Sequence, residues 1–92
     1  MSEDKIIITI SGKDKVGIVA RIANTLAEYK VNIEDIKQTL MQGHFVMFML
    51  CDISKSDYSF KEIKEALTKC GKDLGMEIWV QKKEIVDNMH KI

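Results

Sequence analysis

The spacing of apolar residues changes from a period of two to a helical period across one short segment, Gly12-Lys13-Asp14-Lys15-Val16-Gly17. Before it, Ile6, Ile8 and Ile10 alternate with Ile7, Thr9 and Ser11, the pattern of a strand over residues 5–11. After it, Val19, Ile22, Ala23 and Leu26 recur at helical spacing, with Arg21, Asn24, Thr25 and Glu28 between them. A tight turn with a glycine on each side therefore carries a strand straight into a helix N-terminus. Such a place exposes unpaired backbone amides and the positive end of the helix dipole, and it holds a small anion without any catalytic side chain. Asp14 reads as the N-cap, its carboxylate accepting from the amide of Val16 or Gly17.

The helix fades near Tyr29-Lys30. A second strand runs from Asn32 to Met41, and its alternation slips between Ile33 and Ile36, which predicts a bulge. Gln42-Gly43-His44 is a short turn into a third strand over residues 45–52, so these two form a hairpin. Ser59 and Glu62 are spaced as a capping box. The helix they open shows Phe60, Ile63, Leu67, Cys70 and Leu74 on one face; Gly71 weakens it and Gly75 ends it. Residues 76–82 alternate again, with Ile78 and Val80 against Glu77, Trp79 and Gln81. An amphipathic tail follows, giving a domain over residues 1–82 and an appendage over 83–92.

The order β-α-β-β-α-β, with right-handed crossovers, predicts an α+β fold: a ferredoxin-like sandwich, its four-stranded antiparallel sheet carrying both helices on one face, plus a short C-terminal helical tail. The first and third strands are the most apolar and suit the centre. The second and fourth carry Glu34, Asp35, Lys37, Glu77 and Lys82, which suit edges. One sheet face then lacks a helix, yet the third strand is apolar on both sides. Phe45, Met47, Met49 and Cys51, joined by Ile7 and Trp79, form the set expected on that open face. It is an oligomer interface or is covered by the tail folding back.

Ninety-two residues leave room for one core, and a chain of this size buries only about 60–65% of its unfolded surface, so association would help it. Lys plus Arg equals Asp plus Glu at 14 each, which argues against nucleic acid as a partner of the chain by itself. The charged start fits no signal peptide and no apolar run is long enough to span a membrane, so the cytoplasm is expected. Cys51 and Cys70 then read as free, buried thiols. No cofactor is implied. His44 and Cys51 fall short of a metal site, and His90 reads as surface.

Phe45-Val46-x-Phe48 matches the end of an RNA-recognition aromatic signature, but Phe45 and Phe48 have opposite parity and cannot share one stacking platform. Thr9, Ser11 and Ser59 lack a nearby histidine with a clear role, and Glu34-Asp35 point to opposite faces, so no catalytic centre is expected.

The pattern Asp14-x-x-Gly17-Ile18-Val19-Ala20-x-Ile22-Ala23-x-x-Leu26-Ala27-Glu28, then Val31-Asn32-Ile33, resembles the ACT domain over about residues 5–82. With Gly43 and Phe45 in the hairpin, the chain is most similar to the small stand-alone members related to the glycine cleavage system repressor. The resemblance implies a regulatory domain that binds a small amino acid or related metabolite where the first loop of one subunit meets the second strand of a neighbour. It places the ligand on Gly12, Asp14, Val16, Gly17 and Ile18 of one copy and Asn32 and Ile33 of another, so Asn32 and Ile33 lie at the oligomer interface, to which the apolar open face adds Phe45, Met47, Met49 and Trp79. A homodimer or homotetramer follows, with a separate effector protein to receive the signal. Amides near Gly17 and Ile18 suit a carboxylate, Asp14 an ammonium, and Asn32 either. Val16 and Lys30 stand where the family commonly has proline and glycine, and Asp14 where many amino-acid-binding members have asparagine. Asp14 is therefore a ligand contact or only a helix cap. The alternative reading is a protein-interaction module with a vestigial ligand site.

Overall fold

The computed structural model describes residues 4–89. Strand β1 (Lys5–Lys13) leads to helix α1 (Ile18–Glu28), strands β2 (Asn32–Met41) and β3 (His44–Asp52), helix α2 (Phe60–Leu74), strand β4 (Glu77–Lys82) and helix α3 (Lys83–Met89). The four strands form one sheet in the order β2-β3-β1-β4, with antiparallel neighbours throughout. The expected fold is therefore present, with the apolar strands central and the charged ones at the edges. The register of β2 on β3 shifts between Ile33 and Asp35, the bulge that the slipped alternation predicts. Residues 90–92, and with them the expectation for His90, lie outside the described part.

The core forms where Ile6, Ile8 and Ile10 meet the helices. All three are fully buried, as are Ile22 from α1 and Leu67 from α2. On α1 the buried stripe is Ile18, Ile22 and Leu26, while Val19 is exposed, so the helix is rotated slightly from the expected face. Ser59 and Glu62 make both bonds of the capping box, with Ser59 Oγ accepting from the Glu62 amide at 3.1 Å and Glu62 Oε1 accepting from the Ser59 amide at 2.9 Å.

One expectation is reversed. Phe45, Met47, Met49 and Cys51 lie in the core, not on the open face. The register explains it: Met47 pairs with Ile10, Met49 with Ile8 and Cys51 with Ile6, and paired residues share a face. The open face carries Val46, Phe48 and Leu50 instead, together with Ile7 and Trp79, which the same register removes from the Phe45 set. Phe45, Met47 and Met49 are thus no surface for a partner.

Both long helices end in the same device. At α2, Met76 N–H donates to Gly71 O at 2.8 Å and Gly75 N–H to Lys72 O at 3.2 Å, with Gly75 left-handed at φ 68°. At α1, Val31 N–H donates to Leu26 O at 2.9 Å and Lys30 N–H to Ala27 O at 3.1 Å. Here Lys30 takes the left-handed position, at φ 56°, so a side chain occupies a place that favours glycine. Gly71 has a different reason to be glycine. A Cβ there would come within 2.9 Å of Ile78 Cγ1 and 3.0 Å of the Met76 carbonyl, so α2 lies on β4 too closely for a side chain.

Two stability changes of opposite sign are expected. Lys30→Gly removes the left-handed strain and should raise stability by about 1 kcal/mol, since its exposed ion pair with Asp57 contributes little. Gly71→Ala gains helix propensity yet should cost about 1–3 kcal/mol through the clash with Ile78. Urea unfolding checks both, and a stabilised Gly71→Ala variant would show that β4 yields to α2.

Candidate functional site

Helix α1 begins at Ile18, and the residue before it is Gly17 at φ 88°, ψ 3°. No side chain caps this end. Asp14 is therefore not the N-cap: it sits too far ahead of Ile18, and its own amide is engaged elsewhere, donating to Gly43 O at 3.0 Å. That bond ties the loop to the tip of the β2–β3 hairpin, where Gln42 and Gly43 are both left-handed, as a two-residue type I′ turn requires. Lys15 Nζ donates to Leu74 O at 2.9 Å and satisfies a carbonyl at the α2 C-terminus. The loop is thus held at two points, while Asp14, Val16 and Gly17 remain exposed. Val16 projects fully into solvent. A Cβ on Gly17 would meet nothing within 4 Å, so open space lies beside the first amides of α1.

Of the residues expected to hold a ligand, Gly12, Asp14, Val16, Gly17 and Ile18 are brought together at this corner; the Ile18 side chain itself faces the core. Asn32 and Ile33 are not. Asn32 pairs with Asp52, which pairs with Lys5 at the far end of β1. Nine residues of β1 separate the two ends by roughly 26 Å. No small ligand spans that distance within one copy. Asn32 is exposed and Ile33 half-buried.

The Asn32 end is charged and ordered. Lys5 Nζ lies between Glu34 Oε2 and Asp52 Oδ2, the latter at 3.4 Å. Hydrogen bonds from Ser54, then the Lys5 ammonium, hold the Asp52 carboxyl down at about 2, and the Glu34 carboxylate raises the Lys5 ammonium above its ordinary value. Burial, with Glu34 nearby, pushes the Cys51 thiol up to about 12, so it remains a protonated, inert side chain. Among the described residues no group of three or more His, Cys, Asp and Glu is placed to hold a metal ion. No described helix is long and apolar enough to cross a membrane.

One contact bears on the expectation that Ser11 lacks a nearby histidine with a clear role. Ser11 Oγ and His44 Nε2 are 3.0 Å apart on the open face. The antiparallel register brings them together, since Lys13 pairs with His44 and Ser11 with the residue two further on. Both are accessible, and no carboxylate is hydrogen-bonded to the imidazole among the described residues, so the orienting third member of a nucleophilic triad is missing.

Comparison with known proteins agrees with this architecture. The ACT domain family model matches residues 4–81. A UPF0237 protein of Listeria innocua is 48% identical over 86 residues, which cover 94% of this chain and 97% of that protein. An ACT domain protein from Streptococcus pneumoniae superposes with a TM-score of 0.78 at 35% identity, covering 89% of this chain and 92% of the other. A protein assigned as a glycine cleavage system transcriptional repressor shares the fold at 21% identity, with a TM-score of 0.74 over 84% of this chain and 44% of its own. A corner that joins strand, exposed glycine turn and uncapped helix within this sheet order, matched over nearly the whole chain, places the protein in the ACT domain family.

Proposed function

We propose that this chain is a non-enzymatic, cytoplasmic regulatory domain that binds a small amino acid or related metabolite between two copies and signals to a separate partner. The observation that supports the reading is that the Gly12–Ile18 corner and Asn32 lie at opposite ends of one molecule, whose strand β2 is a sheet edge. Strand β2 is ten residues long, pairs only with β3, and is exposed along nearly its whole length. Apart from the Ile36 amide, which donates to the Asp35 carboxylate at 2.9 Å, its outer backbone groups have no hydrogen bond among the described residues and are available to a second β2. Antiparallel pairing about a two-fold axis near the strand centre would set Asn32 of one copy across from Met41 of the other. Met41 adjoins the hairpin tip whose Gly43 carbonyl holds the Asp14 amide. Each copy then completes the other's site, twice over, as an isologous contact requires.

The division of labour follows from the chemistry of an amino acid. Uncapped amides at Ile18 and beyond suit the carboxylate, with the α1 dipole adding favourable charge. The Asp14 carboxylate, free of any capping duty, suits the ammonium. Asn32 of the second copy donates to one group and accepts from the other, and it makes the site sensitive to assembly.

Calorimetry against the twenty amino acids should reveal at least one that binds with a stoichiometry of one per chain. Asp14→Ala should then weaken binding about tenfold while changing stability by less than about 0.5 kcal/mol, because the side chain is exposed and caps nothing. Gly17→Asp should abolish it by placing a negative charge in the carboxylate's position. Silence from every amino acid, with the assembled protein intact, would leave an interaction module whose ligand site is vestigial.

A further inference from the structure

Basic and acidic side chains balance at 14 each, so a strong local field can come only from their arrangement. The outward face of α2 is where they separate. Lys61, Lys64, Thr68 and Lys72 follow one another at helical spacing on that face, with Lys69 beside them, and all are exposed. Two of the three carboxylates of this helix are engaged elsewhere. Glu62 accepts from the Ser59 amide in the capping box, and Asp73 pairs with Arg21 of α1 at 2.9 Å. Glu65 alone stands among the lysines. None of Lys61, Lys64, Lys69 and Lys72 has an ion-pair partner among the described residues.

Strand β4 adds a fifth cation. Lys82 pairs with Ile6 and so shares its face, the one that carries the helices. Its Nζ lies 5.4 Å from the centroid of the Phe60 ring, and Lys64 Nζ lies 6.0 Å from the same centroid. One ring thus gathers two ammonium groups, and no described carboxylate pairs with either. Like charges held together without a counter-charge are stabilised by an incoming anion. A groove of about 460 Å³ continues along the face between Lys61, Lys64, Thr68, Lys69 and Lys72. From Lys61 to Lys72 the helix rises roughly 16 Å, the reach of an extended segment of about five residues.

We infer that this face docks an acidic segment of a partner protein, whose carboxylates pair with Lys61, Lys64, Lys72 and Lys82. Two features favour a peptide over a nucleic acid. Glu65 sits within the stripe, where a continuous phosphate backbone would pass over it, whereas a peptide can set a neutral or basic residue there. All five cations are lysines, point charges without the planar fork by which arginine grips a phosphate at two atoms. The surface shares no residue with the Gly12–Ile18 corner. It lies beside β4, at the opposite edge of the sheet from β2, so it stays exposed when β2 edges pair and needs no metabolite to act.

Fluorescence anisotropy with a labelled decaglutamate peptide tests this on the intact chain. The peptide should bind at low salt and lose at least about tenfold in affinity as salt rises from about 20 to about 200 mM. Lys64→Glu/Lys72→Glu should weaken binding at least about tenfold with unchanged far-ultraviolet circular dichroism. Lys37→Glu/Lys55→Glu alters the net charge equally at exposed positions elsewhere, and should change binding by less than about threefold. Glu65→Lys should tighten it. Equal losses in the two double variants would overturn the inference, because the peptide would then be sensing net charge alone. So would failure of the peptide to bind, or tighter binding of a single-stranded oligonucleotide of the same charge.

Discussion

Strand β1 sets the structure because it pairs on both sides and is asymmetric across its own plane. Ile6, Ile8 and Ile10 face the helices at zero exposure, while Ile7, Thr9 and Ser11 face away. That contrast, which β3 lacks, decides which side of β3 is buried. Pairing with Ile10, Ile8 and Ile6 draws Met47, Met49 and Cys51 beneath α1 and α2. A slip by one residue would bury Phe48 and Leu50 and expose the methionines, inverting the whole face. Because both sides of β3 are apolar, the cost would lie in lost fit against α1 and α2, about 1–3 kcal/mol for each misfitted side chain, and not in net apolar burial. The bulged β2, the hairpin tip and the loop bonded to Gly43 all take their positions from this one register.

The local grammar of the chain was legible in advance. Ser59 and Glu62, Gly75 and the slipped alternation of β2 each report a structure within a few residues of themselves, and the charges on β2 and β4 mark the edges. The features that eluded a linear reading depend on distant partners. Both sides of β3 are apolar, so its own alternation contains no information about which is inside. Ser11 and His44 are 33 residues apart, and Lys15 and Leu74 are 59 apart. Asp14 looks like a cap by type and position, but the left-handed turn at Gly17 starts the helix later and leaves the carboxylate outside it. The candidate site was legible as a list of residues and not as a place, because Asn32 and Gly17 converge only if a second molecule is present.

The proposed edge contact uses only the outer side of β2 and leaves the rest of the sheet unchanged. Edge pairing widens the sheet and preserves its open face. A metabolite bound at the edge junction would stabilise only the edge-paired form, by about 2.7 kcal/mol per site when present at a hundred times its dissociation constant. A domain of 92 residues has a total stability of about 5–14 kcal/mol, so such an increment is a sizeable fraction even of the free energy of folding. Ligand occupancy would then be expressed as a population of assemblies, with no rearrangement inside the domain. That form of output suits a chain whose loop before α1 is fastened at Gly43 and Leu74. A partner able to tell the edge-paired sheet from the single one would receive the signal directly.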